Sequence, residues 1–186
     1  MTPLSALWLP ILISAVVVFF VSSLIHMVTP WHKSDYGSLP NEQSLRDAMR
    51  PLAIPPGDYH FPRPSSMADM KSPEFQQKMT EGPVAMMTVL PNGSAGMGRA
   101  LGLWFVHLVI VGVFAAYITG RALPPGANYL HVFRFAGCTA FIAYSFAIWP
   151  MWIWYRRSLV TTIKSTIDGL IFGLLTAGVF GWLWPR

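Results

Sequence analysis

Four long apolar runs constrain this chain more than any other feature. They cover about 4–28, 101–122, 129–155 and 159–184. About 20 apolar residues in helical form cross the hydrocarbon core of a bilayer, so each run is long enough for a span. The second run is interrupted only by His107, the third carries Arg134 near its start, and the fourth carries Lys164 and Asp168 near its start. Composition agrees with a membrane setting. Hydrophobic residues make up 53% of the 186 and charged residues only 11%, where soluble domains carry roughly 25% charged residues. The expected fold class is an all-α membrane protein, one polytopic domain over 1–186. It has four transmembrane helices and an irregular, proline-rich cytoplasmic segment, about 29–100, between the first two.

The first run is expected to be an uncleaved span. A signal peptide has a basic start and a small-residue cleavage site, and Met1–Pro10 contains no lysine or arginine. Four spans put both termini on one side. The 29–100 segment and the turn before the fourth run then share the other side, with Lys33, Arg99, Arg156, Arg157 and Lys164 close to the helix ends. Only Arg121, Arg134 and Arg186 lie on the terminal side. Cytoplasmic loops carry the excess of lysine and arginine, so the long segment is expected in the cytoplasm and both termini outside it. Tryptophans fit two interfacial levels, with Trp8, Trp182 and Trp184 outer and Trp31, Trp104, Trp149, Trp152 and Trp154 inner. The sequence pI near 9.7 is thereby explained by orientation rather than by nucleic acid, which is not expected as a partner. Cys138 is the only cysteine, which excludes an internal disulfide and a cysteine-built metal site.

Within the cytoplasmic segment, prolines alternate with aromatics and methionines, unlike a low-complexity linker. Two short helices are expected. One spans about 41–49 with Asn41 as N-cap; the other spans about 73–80 with Ser72 as N-cap and Gly82 after its end. "VAMMTVL" at 84–90 reads as a short strand or an apolar patch on the membrane surface. "IPPGDYHFPRP" at 54–64 favours an extended polyproline geometry suited to recognition by a partner.

The fourth run carries a stripe of small residues: Ser165, Gly169, Gly173, Ala177 and Gly181. Positions four apart sit about 40° apart around a helix, so these form one groove. Small residues let helix backbones approach closely in lipid. The stripe is expected to seat another helix of this chain, or alternatively a second subunit. Gly112, Ala116 and Gly120 form a shorter version in the second run.

By depth, His26, His107 and Asp168 fall in one layer near the inner boundary and form a candidate intramembrane polar cluster. Three readings are open. Asp168 locks helices together through His107, taken first, or Lys164. The cluster is a proton-relay or ion site, since intramembrane carboxylates and histidines serve such roles. Or His26 and His107 hold a metal or haem, for which no ligand-spacing motif exists. His32 in "PWHKSDY" reads as interfacial only. No catalytic residue and no metal ligand is assigned, and cofactors are left open. GxSxG, HExxH, P-loop and GxGxxG patterns are absent from the sequence.

The stretches "PWHKSDY", "IPPGDY", "RPSSM", "SPEF", "GRALPPGA" and "FRFAG" together resemble a family of small bacterial inner-membrane proteins with no assigned activity, over most of the chain. The resemblance implies a bacterial inner-membrane setting, in which the external termini expected from the charge bias would be periplasmic. The functional expectation is a non-enzymatic accessory or scaffold subunit of a larger membrane complex, with other subunits or a second copy as partners. The alternative is a small transporter or proton-coupled carrier using an inner-leaflet Asp/His pair.

Overall fold

The computed structural model describes residues 1–93 and 96–186. Residues 94–95, inside the expected cytoplasmic segment, lie outside the described residues. The chain divides into two compact units, Met1–Gly37 with Gly96–Arg186, and Ser38–Ala95; the sequence reading draws one domain over 1–186. Among the described residues, four helices are long and apolar enough to cross a membrane: Leu4–Val28, Met97–Ala122, Tyr129–Tyr155 and Leu159–Trp182.

All four belong to the first unit, and each has a local reason for its shape. The first opens with a tight turn at Leu4–Leu7, continues as α1 (Trp8–Ser23) and ends in a wider turn over Leu24–Val28. There the Thr29 amide reaches five residues back to the Leu24 carbonyl, at 3.2 Å. In the second unit lie α2 (Glu42–Met49), β1 (Gly57–Phe61), α3 (Pro73–Glu81) and β2 (Ala85–Val89). The chain then returns to the first unit as α4 (Met97–Ala122). The third apolar run is split into α5 (Tyr129–Ser145) and α6 (Trp149–Tyr155). The cause is Pro150, which has no amide hydrogen and collides with the carbonyl four residues earlier. Arg156, at φ 55°, ends α6. The Ser158 hydroxyl then accepts the Thr161 amide at 3.3 Å and starts α7 (Leu159–Trp182). That last helix stops short of residue 184 because the position before Pro185 disfavours helical backbone.

The principal contacts join α1 to α4 and α7, and α5 to α4 and α7, closing a four-helix ring. Close approach of α5 and α7 rests on the small-residue stripe. Hypothetical Cβ atoms at Gly181, Gly173 and Gly169 would meet Tyr129, Phe141 and Ser145, while one at Gly137 would meet Ala177. The partners run in opposite order along the two helices, so the pair is antiparallel with a four-residue register. Ser165, the remaining member, lines a cavity instead. On the other side of the ring, a Cβ at Gly112 would lie 3.3 Å from Ile11, and one at Gly120 would lie 2.6 Å from the Thr2 carbonyl.

Outward faces are as apolar as the packed ones. On α4 the exposed residues Val106, Ile110, Phe114 and Tyr117 follow one helical face. In a water-soluble bundle that face would be polar. At the end of the ring holding both termini, short ties add to the packing of Leu7, Phe180 and Trp184. Thr2 donates its amide to Gly120 (2.8 Å) and its hydroxyl to Leu123 (3.0 Å). The Trp184 indole donates to the Pro124 carbonyl at 3.0 Å.

In the second unit, the Asn41 side chain accepts the Ser44 amide and the Ser72 hydroxyl accepts the Phe75 amide, so both expected helices start at their expected caps. Gly82, at φ 65°, ends α3. β1 and β2 pair antiparallel, from Gly57 opposite Val89 to Phe61 opposite Ala85. This corrects the polyproline reading of 54–64, because Gly57–Phe61 satisfies its backbone through a ladder with β2. The segment is therefore more regular than an irregular cap.

Candidate functional site

The residues that follow α1 fold back over the ends of the helices. The Thr29 hydroxyl donates to the Ile25 carbonyl at 2.6 Å and accepts the Trp31 amide at 3.3 Å. Turns then bring the Lys33 amide to Pro30 and the Asp35 amide to His32, both at 3.1 Å. This compact loop lies against the early turns of α7. Lys164 pins it, donating to the Trp31 carbonyl (2.7 Å), the Ser34 hydroxyl (2.9 Å) and Asp35 (3.1 Å). The ammonium also lies 5.6 Å from the centre of the Trp31 ring, within range of a cation–π attraction.

Asp168 sits one turn further along α7, with its side chain only 5% exposed. The Trp31 indole donates to its Oδ1 at 3.1 Å, and His32 Nε2 meets its Oδ2 at 2.8 Å. The other nitrogen of His32, Nδ1, meets Asp35 Oδ2 at 2.6 Å. Asp35 is thus held by His32 on one oxygen and Lys164 on the other. Burial works to raise its carboxyl, but those hydrogen bonds and the neighbouring positive charge outweigh it. The net position is below the usual carboxylate range, so Asp35 is an anion. His26 stacks on His32, with ring centres 4.2 Å apart and planes 12° from parallel. Its Nδ1 lies 3.0 Å from the Ser22 carbonyl.

Asp168 and His26 face a cavity of about 500 Å³. Its walls come from α1 (Ser22, Ser23), α4 (Leu101, Trp104, His107), α5 (Tyr144) and α7 (Ser165, Phe172). Trp104 closes one side by donating its indole hydrogen to Ser22 at 2.9 Å.

Of the three residues placed together by depth, all line this cavity, yet the expected pairings do not form. Asp168 bonds neither His107 nor Lys164. His107 stacks on Trp104 at 5.4 Å and meets Tyr144 edge-on at 6.2 Å. Lys164 is spent on the loop. The partners of Asp168 are instead Trp31 and His32, the latter read from sequence as merely interfacial. Depth arguments rank positions along helices and are blind to a loop that folds back between them. The available signal was density: "PWHKSDY" concentrates polar and aromatic side chains into seven residues at the mouth of an apolar helix.

Fold and site together define a class, a mostly helical protein with four helices long and apolar enough to span a membrane and a largely apolar cavity into which a few polar side chains, Asp168 among them, project. Comparison with protein-family models, curated proteins and solved structures finds no match.

Proposed function

We propose that the protein is a small multipass membrane transporter that takes a cation at Asp168. The carrying observation concerns charge. Asp168 is buried beside an open-sided cavity, and its only ion-pair partner among the described residues is His32. Lys164, one turn back on the same helix, is paired with Asp35 instead. A carboxylate removed from water without a permanently charged partner is costly, and a bound cation would relieve that cost. Membrane insertion is supported by the outward apolar faces. An orientation with the cavity end in the cytoplasm and both termini outside is supported by Lys33, Arg99, Arg156, Arg157 and Lys164, which flank the helix ends on that side. The resemblance noted above favours a bacterial inner membrane.

The test is uptake by proteoliposomes across a panel of monovalent and divalent cations. At least one should enter saturably, at a rate reduced tenfold or more by Asp168→Asn. Uptake no greater than in protein-free vesicles for every cation, or an unchanged rate in the variant, would overturn the reading. A second reading, the accessory subunit of a larger complex, keeps one specific support. Among the described residues, the sheet of the second unit has two strands, β1 and β2, and no further strand pairs with either outer edge; such edges recruit partner strands. The small-residue stripe no longer supports it, since α5 occupies that groove. Native mass spectrometry of gently solubilised protein decides this reading: a partner-free chain removes it.

A further inference from the structure

We infer that His26, His32 and Asp168 form a binding site for one divalent transition-metal ion of the zinc class. The three side chains each offer one donor atom, and those atoms all lie within 4.8 Å of one another. Bonds of about 2.0–2.2 Å to a tetrahedral zinc place its donor atoms roughly 3.3–3.6 Å apart. His32 Nε2 and Asp168 Oδ2, at 2.8 Å, need only part slightly to admit an ion. The His26 ring has to turn out of its stack on His32, and its exposed place on the wide last turn of the first helix leaves room for that.

What singles out this set is the shell behind it. Histidines that bind metals almost always donate the second ring hydrogen to a carbonyl or carboxylate, which fixes the tautomer and aims the other nitrogen at the ion. Both histidines have such a partner, which sets the tautomer of each, while the His26 ring still has to turn to bring Nε2 to the ion. A backbone carbonyl can only accept, so His26 Nδ1 carries a hydrogen toward Ser22 and Nε2 keeps a free lone pair. His32 Nδ1 faces Asp35, itself anchored by Lys164, which leaves Nε2 toward Asp168. The carboxylate is oriented in turn by the Trp31 indole. Each donor is therefore backed by a hydrogen-bond partner, and the cavity at His26 and Asp168 provides space for water or a further ligand at the remaining positions. Two imidazoles with one carboxylate suit zinc, iron or their neighbours. Calcium and magnesium prefer all-oxygen sites.

This deepens the transporter reading by naming the cargo, and it rests on that reading only for the word cargo. The test is an equilibrium titration of Zn²⁺ into protein purified without a polyhistidine tag and stripped by chelator, with Co²⁺ as a visible-spectrum probe. One Zn²⁺ per chain should bind with micromolar or tighter affinity. His26→Ala and His32→Gln should each weaken binding tenfold or more and alter the Co²⁺ bands. Asp35→Asn, removing a positioning residue, should weaken it by about tenfold. His131→Gln, on α5 and outside the cluster, should leave it unchanged. No saturable Zn²⁺ binding, or wild-type affinity in both histidine variants, overturns the inference. If His32→Gln fails to fold, His26→Ala alone decides, because its ring is exposed. Zn²⁺ binding without uptake of any cation would sink the transporter and leave the metal site standing. Uptake of another cation without Zn²⁺ binding would do the reverse.

Discussion

Substituting Gly173 with alanine tests whether α5 truly sits in the groove of α7. The added Cβ would fall 3.1 Å from the Phe141 amide nitrogen and Cβ, and 3.2 Å from its Cα. Carbon atoms pack best at about 3.5–4.0 Å, so the helices must part locally by roughly half an ångström. The obstacle is backbone and Cβ, which no rotamer change can move. Overpacking of this kind costs about 1–3 kcal/mol, while exchanging glycine for alanine inside a helix returns about 1 kcal/mol. The net for Gly173→Ala is then a loss of about 0–2 kcal/mol. The reference is Gly178→Ala on the same helix, where the nearest atom, the Tyr129 hydroxyl, is 3.9 Å away. There only the helical gain remains. The propensity contribution cancels between the two variants, so their difference isolates the packing penalty, about 1–3 kcal/mol. Reversible unfolding in mixed micelles, titrated with a denaturing detergent and followed by tryptophan fluorescence, measures it. Equal stability of the two variants would refute the argument, because it would mean that α5 does not contact α7 along the stripe.

Other expectations are narrower. Trp31→Phe removes the donor to Asp168 Oδ1 and should cost about 1.5–3 kcal/mol in the same unfolding assay, the range for hydrogen bonds to charged groups; no loss would place the indole elsewhere. The Thr119 hydroxyl is fully buried and has no hydrogen-bond partner among the described residues, so Thr119→Val should stabilise by about 1 kcal/mol. Thr176→Val, which removes a 2.9 Å bond to the Phe172 carbonyl, should not stabilise. Asp69 accepts the Ser65 amide and hydroxyl, which hold its carboxyl below the model-compound value of 3.8. A carboxyl depressed by folding contributes stability above 3.8 that is lost as pH falls through its lower folded value; carbon-detected NMR showing titration at or above 3.8 would contradict this. A reporter active only in the cytoplasm should stay silent when fused after Arg186, and a signal there would reverse the orientation.

The first unit's helices were legible because their determinants are local. Run length marks each span, but the sequence reading draws 129–155 as a single span and names neither the break at Pro150 nor the cap at Ser158, which the structure supplies. The groove of α7 was visible too, since a four-residue repeat of small side chains has one geometric consequence on a helix. Its occupant was a matter of tertiary pairing, which the repeat does not encode. In the second unit, Asn41 and Ser72 announced their helices through side-chain oxygens that cap locally. β1 was hidden for the opposite reason. "GDYHF" has weak strand character between prolines, and it becomes a strand only because Ala85–Val89 pairs with it across the intervening helix.

The same distinction accounts for what was missed at the site. An aspartate in an apolar helix demands a partner, and the sequence supplied that demand along with its depth. The candidates it offers are His107 on a neighbouring span and Lys164 one turn back on the same helix, because position along the helices is what depth can rank. The structure meets the demand from the loop after α1, where Trp31 and His32 reach Asp168 while Lys164 reaches back to Asp35. This exchange has a chemical consequence. A direct Asp168–Lys164 pair would have been a neutral structural lock with nothing left to bind. By diverting Lys164 to Asp35, the fold turns the lysine into a support for His32 and leaves the buried carboxylate with only neutral-capable donors. On the proposed reading, the crossed pairing turns a helix-locking motif into a cation site, and the double substitution Lys164→Met with Asp35→Asn tests that division of labour. It removes the supporting pair together and leaves the three donors, so Zn²⁺ affinity should fall about tenfold through loss of His32 orientation while one ion per chain is still bound. Complete loss of binding would instead make Lys164 and Asp35 part of the site itself.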